Sequence, residues 1–213
     1  MSGKMMARLV VSNEDRSVPL FKNLLLDALT RVRWYIVPLF WLPVIAYSLA
    51  QALGRAEGRP LVTLAGLAAG LALWTIAEYI LHRFVFHFEP SLGPLRRLHY
   101  LMHGVHHDYP KDSRRLVMPP WVAVILACPF IGLFRAALGP GALFFSVSSG
   151  FLTGYLIYDM IHYALHHAPL THPAWLLLKQ HHMRHHYRDP SHNYGVSSTL
   201  WDIVFRSTGQ TTD

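Results

Sequence analysis

The sequence predicts an all-α integral membrane protein: a bundle of about four transmembrane helices under a cytoplasmic, helical, histidine-rich cap that holds a di-metal site. Three observations carry that reading. The chain is 52% hydrophobic and only 15% charged, with a mean hydropathy of +0.25, too apolar for an ordinary soluble domain. Four stretches, 34–54, 60–77, 116–134 and 136–158, contain no charged residue. All 15 histidines fall in two blocks, 82–107 and 162–192.

About 20 apolar residues, rising ~1.5 Å each, cross the roughly 30 Å hydrocarbon layer of a bilayer. The charge-free stretches therefore predict spans near 34–54, 61–81, 117–137 and 142–163. Any one of them would suit a buried core helix, but four are more than a single small core can hide. Residues 1–33 are polar and mixed and read as a cytoplasmic N-terminal segment, with 34–213 forming a single domain. No cleavable signal peptide is visible, and the run beginning at Trp34 is too long for a signal h-region. Between the second and third spans, 94–108 reads as a cytoplasmic helix carrying His99, His103, His106 and His107. After the fourth, Pro173 suits the first turn of a helix over 174–187 that ends before Pro190 and presents His181, His182, His185 and His186. Residues 192–205 read as a loop and a short closing helix. The one cysteine, Cys128, excludes an internal disulfide and reads as a small buried apolar residue.

A net charge of +7 can signal nucleic acid, but its distribution points elsewhere. Lys4, Arg8, Arg16, Lys22, Arg31 and Arg33 precede the first span. Arg83, Arg96, Arg97, Lys111, Arg114 and Arg115 lie between the second and third, and Lys179, Arg184, Arg188 and Arg206 follow the fourth. Only Arg55, Arg59 and Arg135 belong to the other side. By the positive-inside rule both termini and the 82–118 segment are cytoplasmic. The basic excess is then a topology and headgroup signal, and no nucleic-acid partner is expected. The same topology brings the second and fourth spans out at one membrane face, so the two histidine blocks meet there.

Within the blocks the spacings recur: His82-x4-His87, His103-x2-His106-His107, His162-x3-His166-His167 and His182-x2-His185-His186. Neutral imidazole is a common metal ligand, and i, i+3, i+4 spacing puts side chains on one helix face. A lone histidine at a helix end is usually just solvated, but four recurrences of such spacing read as metal sites. Structural zinc sites close at four ligands and usually include thiolates, so ten or more imidazoles fit two metals instead. Imidazole suits zinc, copper, iron and nickel alike. Iron can be oxidised by O2 whereas zinc has no redox chemistry, and at a membrane face the task for a redox pair is oxygen activation against a lipid C–H bond. Glu78, one turn before His82, and Asp159, three residues before His162, are candidates to accept the second N–H of a metal-bound imidazole. His99, His167 and His181 are adjacent extras, His172 and His192 are solitary, and Tyr100, Tyr158 and Tyr163 read as interfacial anchors. A non-catalytic membrane metal-binding protein is the alternative from outside enzymology.

The stretches EYILHRFVFH (78–87), HYLMHGVHHDYPKDSRRLVMPP (99–120), YDMIHYALHH (158–167) and KQHHMRHHYRDPSHNYGVSSTLWDIVF (179–205) resemble the fatty acid hydroxylase family, within the sterol desaturase and membrane hydroxylase superfamily. The resemblance implies ten metal ligands: His82, His87, His103, His106, His107, His162, His166, His182, His185 and His186. It further implies a di-iron, O2-dependent monooxygenase of the fatty acid 2-hydroxylase type, whose site zinc can occupy on purification. Oxygen would enter at carbon 2 of a fatty acyl chain, free or part of a sphingolipid. Sterol desaturases of the superfamily typically begin with a three-residue gap where this chain has four between His82 and His87. Carotenoid ring hydroxylases share the four-residue gap but differ at the third motif. A sterol or carotenoid desaturase or hydroxylase is therefore the alternative within the superfamily. Eukaryotic members often carry a fused cytochrome b5 domain, for which 33 residues before the first span are too few. An external electron donor, of the cytochrome b5 or ferredoxin type, is expected.

Overall fold

The computed structural model describes residues 10–88 and 90–209, and every regular element among them is helical. Lys4 and Arg8 lie outside the described residues. In chain order the helices are α1 (Leu24–Leu29), α2 (Ile36–Arg55), α3 (Pro60–Ile80), α4 (Gly93–His99), α5 (Val105–Asp108), α6 (Pro120–Leu138), α7 (Ala142–His167), α8 (Pro173–Tyr187) and α9 (Leu200–Val204). Two π-helical turns extend this set: Leu81–Phe86 continues α3, and Tyr100–Gly104 joins α4 to α5. The starts follow from sequence chemistry. Pro60, Pro120 and Pro173 each open a helix, where the missing N–H is not needed. The Asn23 side chain accepts the N–H groups of Leu25 and Leu26 at 2.9 and 3.1 Å to start α1.

All four expected spans are helices close to their expected bounds. Three are long and apolar enough to cross a membrane: Ile36–Arg55, Pro60–Phe86 and Pro120–Leu138. The fourth, α7, differs because it is the core of the bundle rather than part of its lipid-facing wall. Its buried residues include Ser146, Ser148, Ser149, Gly150 and Gly154, which lower its hydropathy and let neighbouring backbones close in. A Cβ on Gly70 of α3 would lie 2.2 Å from the Val147 carbonyl oxygen, and one on Gly150 of α7 would lie 2.2 Å from that of Leu67. The two helices therefore cross backbone on backbone, as small residues allow in membrane bundles. Around the crossing, Trp74 meets Phe151 and Tyr155 edge to face at 5.2 and 5.4 Å, and Trp41 meets Tyr155 at 5.5 Å.

Two expectations about side chains on these spans need correcting. Cys128 is exposed rather than buried, in an open groove between α6 and α2 that it lines with Phe40, Trp41 and Val44. Tyr158 is no interfacial anchor: it is buried on α7 and stacks on His162.

The cap rises from the α3 and α7 ends. Residues 10–33 do not stand apart from it. The Val11 N–H donates to the Asp108 carbonyl at 2.9 Å, the Tyr187 hydroxyl to Asn13 Oδ1 at 2.6 Å, and the Ser113 N–H to Asp15 Oδ1 at 2.9 Å. Arg115, buried, pairs with Asp27 at 3.0 Å and Asp112 at 3.5 Å, while the Ser17 hydroxyl donates to Asp112 at 2.6 Å. The segment is thus tied across the helices that carry His106, His107 and His186.

Candidate metal centre

Four chain segments converge at the top of the bundle. The π turn after α3 brings His82 and His87, and the His87 N–H donates to the His82 carbonyl at 3.2 Å. That i→i+5 bond is the mark of a π turn, which is frequent at functional sites. The second π turn and α5 bring His103, His106 and His107. The end of α7 brings His162 and His166, and α8 brings His182, His185 and His186.

All ten histidines come together, and they divide into two groups of five. His82, His87, His103, His107 and His185 form the first; His106, His162, His166, His182 and His186 form the second. Within each group the ligand-capable atoms all lie within 4.8 Å of one another. In the first, Nε2 atoms face each other at 3.0 Å (His82–His103 and His107–His103), 3.3 Å (His87–His82) and 2.9 Å (His185–His87). In the second, His182 Nε2 faces His166 Nε2 at 2.9 Å and His186 Nε2 at 3.1 Å. His106 packs among His162, His166 and His186 with ring centroids 4.7, 4.8 and 4.5 Å away.

The motif spacing explains the division. Residues four apart share a helix face, whereas the residue at i+3 sits about 100° from that at i+4. Each His-x2-His-His motif therefore sends its outer pair to one group and its middle histidine to the other. His103 and His107 join the first group while His106 joins the second; His182 and His186 join the second while His185 joins the first. The doubled histidines lie between the two groups, and the His107 and His186 rings are 4.3 Å apart.

The remaining predicted residues do other work. His99 donates from Nε2 to the Phe86 carbonyl, fixing the end of the first π turn. His167 stacks on Tyr163 at 4.7 Å, and His181 donates to Asp202 Oδ2 at 2.9 Å. His172 caps α8 by accepting the Ala174 N–H at 3.3 Å, and the half-exposed His192 ring reaches Asp189. Neither Glu78 nor Asp159 hydrogen-bonds a histidine. Glu78 accepts the N–H groups of Val196 and Ser197, both at 2.8 Å, and Asp159 lies 3.4 Å from the Met118 N–H and the Tyr155 hydroxyl. The acceptors for the histidines are backbone carbonyls instead: His82 Nδ1 donates to Tyr194, and His185 Nδ1 to His192 at 2.7 Å. Each such bond protonates Nδ1 and leaves the Nε2 lone pair for a metal. Asp202, fully buried in the apolar closing helix, was not singled out from sequence. An acid between Trp201 and Ile203 was the available signal.

Electrostatics keeps the cluster in its ligating form. Burial, reinforced by neighbouring imidazoles, holds His103, His106, His182, His185 and His186 well below the ordinary histidine range, and His107 is pushed down to about 3. These rings are therefore neutral at physiological pH, as metal ligation requires. Both nitrogens of His106 and Nε2 of His162 are buried with no hydrogen-bond partner among the described residues. Buried polar atoms without partners are costly, and a cation within the second group would satisfy these, as one within the first would take the Nε2 lone pairs that converge there. The donor set fits two metal ions.

Two openings approach the site. A narrow apolar cleft among α3, α6 and α7 is lined by residues including Trp74, Phe86, Leu126, Phe130 and Tyr158. A polar pocket on the cap side is lined by Ser91, Arg96 and Tyr100 together with His87, His103 and His107 of the first group. Phe86 borders both and stacks on His103, with centroids 5.5 Å apart.

Comparison with known proteins places this arrangement. A family model described as fatty acid hydroxylase matches residues 67–207. Dihydroceramide fatty acyl 2-hydroxylase of Arabidopsis thaliana is 40% identical over 182 residues, covering 84% of this chain and 75% of that protein. The ceramide very long chain fatty acid hydroxylase of Saccharomyces cerevisiae is 42% identical, covering 89% of this chain and 49% of its own length. Human fatty acid 2-hydroxylase is 34% identical, with coverages of 90% and 57%. The solved structure of full-length scs7p, in which only the hydroxylase domain is visible, matches with a TM-score of 0.85 at 39% identity, covering 92% of this chain and 74% of that one.

Proposed function

The chain belongs to the fatty acid hydroxylase family, and we propose that it is an O2-dependent di-iron enzyme that hydroxylates a lipid acyl chain at carbon 2. Its relatives bear the names of fatty acid 2-hydroxylases and ceramide hydroxylases, which supports acyl hydroxylation as the reaction. Two irons would be held by His82, His87, His103, His107 and His185, and by His106, His162, His166, His182 and His186. Iron bound there supplies reductive O2 activation and insertion of one oxygen atom into a C–H bond. The balanced reaction takes R–H, O2, two electrons and two protons to R–OH and water. Side chains do not supply electrons catalytically, so a separate electron-transfer protein of the cytochrome b5 or ferredoxin type would deliver them.

The observation that carries the regiochemistry is Phe86, shared between the apolar cleft and the polar pocket. A lipid with its tail in the cleft and its polar end against Ser91, Arg96 and Tyr100 would cross Phe86 near the start of its acyl chain. Such a pose would set a carbon next to the carbonyl close to His103, on which Phe86 stacks. Trp74, Leu126 and Phe130 would exclude water from the tail and fix its direction, and orientation of this kind accounts for much of an enzymatic rate.

The basic residues of the cap side, Arg96, Arg97, Lys111, Lys179 and Arg184 among them, outnumber Arg55, Arg59 and Arg135 at the other helix ends. This excess supports a cytoplasmic site and cytoplasmic termini in a multi-pass membrane protein. Mass spectrometry of lipids from cells with and without the protein, grown under 18O2, tests the proposal. A 2-hydroxy acyl product carrying one 18O is the expected result. A modified sterol or carotenoid, or no labelled lipid, would overturn it.

A further inference from the structure

We propose that Glu78 and Asp202 are positioning residues for only one of the two metals, acting through the backbone of residues 192–198. The inference rests on reading the ten histidines as two metal centres.

Two histidines of the first group, His82 and His185, have their Nδ1 protons fixed by carbonyls, those of Tyr194 and His192. Both carbonyls belong to one short irregular segment. Its conformation is demanding: Asn193 has a φ of 61°, and a Cβ on Gly195 would sit 2.0 Å from the Ser198 carbonyl oxygen. Such a segment needs external support, and two buried carboxylates provide it. Asp202 accepts the Tyr194 N–H at 3.0 Å, the Gly195 N–H at 2.7 Å, the Ser207 hydroxyl at 2.7 Å and His181 Nε2 at 2.9 Å. Glu78 accepts the Val196 and Ser197 N–H groups at 2.8 Å and also the Ser197 hydroxyl. An acid within a membrane-spanning helix is costly enough to require a role, and holding this segment is that role for Glu78.

The second group has no counterpart. The Nδ1 atoms of His166, His182 and His186 are buried without a hydrogen-bond partner among the described residues. Their rings are set by the packing of α7 and α8. Releasing the 192–198 segment therefore frees the rings of His82 and His185 while leaving the second group in place.

Zinc titration of the purified, detergent-solubilised full chain against a competing chelator tests this, with Zn2+ as the probe. Wild type is expected to take up two equivalents. Asp202→Asn and Glu78→Gln should each weaken one equivalent by roughly 10–100-fold, the usual effect of losing a group that orients a ligand, and leave the other unchanged. In a His166→Ala background, Asp202→Asn should weaken the tight equivalent that remains; in a His87→Ala background it should not. Should Asp202→Asn fail to fold, Ser197→Ala, which removes only a hydroxyl contact to Glu78, carries the same test with a smaller shift. Equal weakening of both equivalents, weakening of neither, or the opposite background dependence overturns the proposal. Wild type that binds no stoichiometric zinc overturns the metal-centre reading itself, a separate outcome.

Discussion

One group of five histidines takes His82, His87 and His103 from the π turns and has two of its rings tied to a carboxylate-held loop; the other stands almost wholly on α7 and α8. The first meets water: His87 and His107 are half-buried and line the polar pocket. All five members of the second are buried. Five imidazoles can thus be oriented in two ways, by hydrogen bonds from a non-helical segment or by helix packing alone. The first way leaves a centre that local changes can tune. The second ties a centre to the integrity of the bundle.

The largest expected effects remove a ligand from either group. His185→Ala in the first and His106→Ala in the second should each abolish hydroxylated lipid and lower metal content, read by lipid mass spectrometry and metal analysis. Full turnover with either missing would break the assignment of that group. Next comes Gly70→Leu, which forces α3 and α7 apart where a Cβ already has no room. Overpacking of this kind costs about 1–3 kcal/mol, so the melting temperature should fall and both metals should weaken together. Loss confined to one group would show that the two centres are not coupled through this crossing.

A smaller effect follows from pH. Buried histidines stay neutral in the fold while the unfolded chain protonates them below about 6.5. The unfolded state then binds more protons, so stability of the metal-free protein should fall as pH drops from about 6.5 toward the folded values, about 3 for His107. Melting temperatures from pH 8 to 5 read this, and a flat profile below 6.5 would show that the cluster opens to water. The smallest effect belongs to His192→Ala. Only the backbone carbonyl of His192 serves the first group, so metal content and activity should stay within about twofold. A large loss would mean that its ring, rather than its backbone, matters.

Much of this architecture is legible in the sequence because strong constraints wrote it there. A bilayer demands about 20 uncharged residues per span, and the four spans expected from the charge-free stretches land within a few residues of α2, α3, α6 and α7. The convergence of the ten histidines is legible for a similar reason: helical spacing and an even number of intervening spans leave them one meeting place. The partition between groups is harder, because it depends on how His106 and His185 turn relative to neighbours on other segments. Glu78 shows the limit of helical reasoning. Its position one turn before His82 is right for contact, yet it reaches the 196–197 backbone, 118 residues away in sequence. Asp202 organises the same loop, and only its apolar surroundings mark it beforehand.

The first π turn has a consequence for how such chains can change by insertion and deletion. On an α-helix, residues five apart sit roughly 140° out of phase, and His82 and His87 would not share a site. The wider π turn absorbs one extra residue and returns both to the same side. Removing a single residue from 83–86 would let the turn relax to α-helical winding and leave a His-x3-His pair, also on one face. A one-residue deletion within Pro60–Ile80, by contrast, would rotate everything beyond it by about 100°. Within 83–86 the reading frame of the helix can slip by a residue and the ligands stay together, so a gap of three and a gap of four between the first two histidines can build the same group.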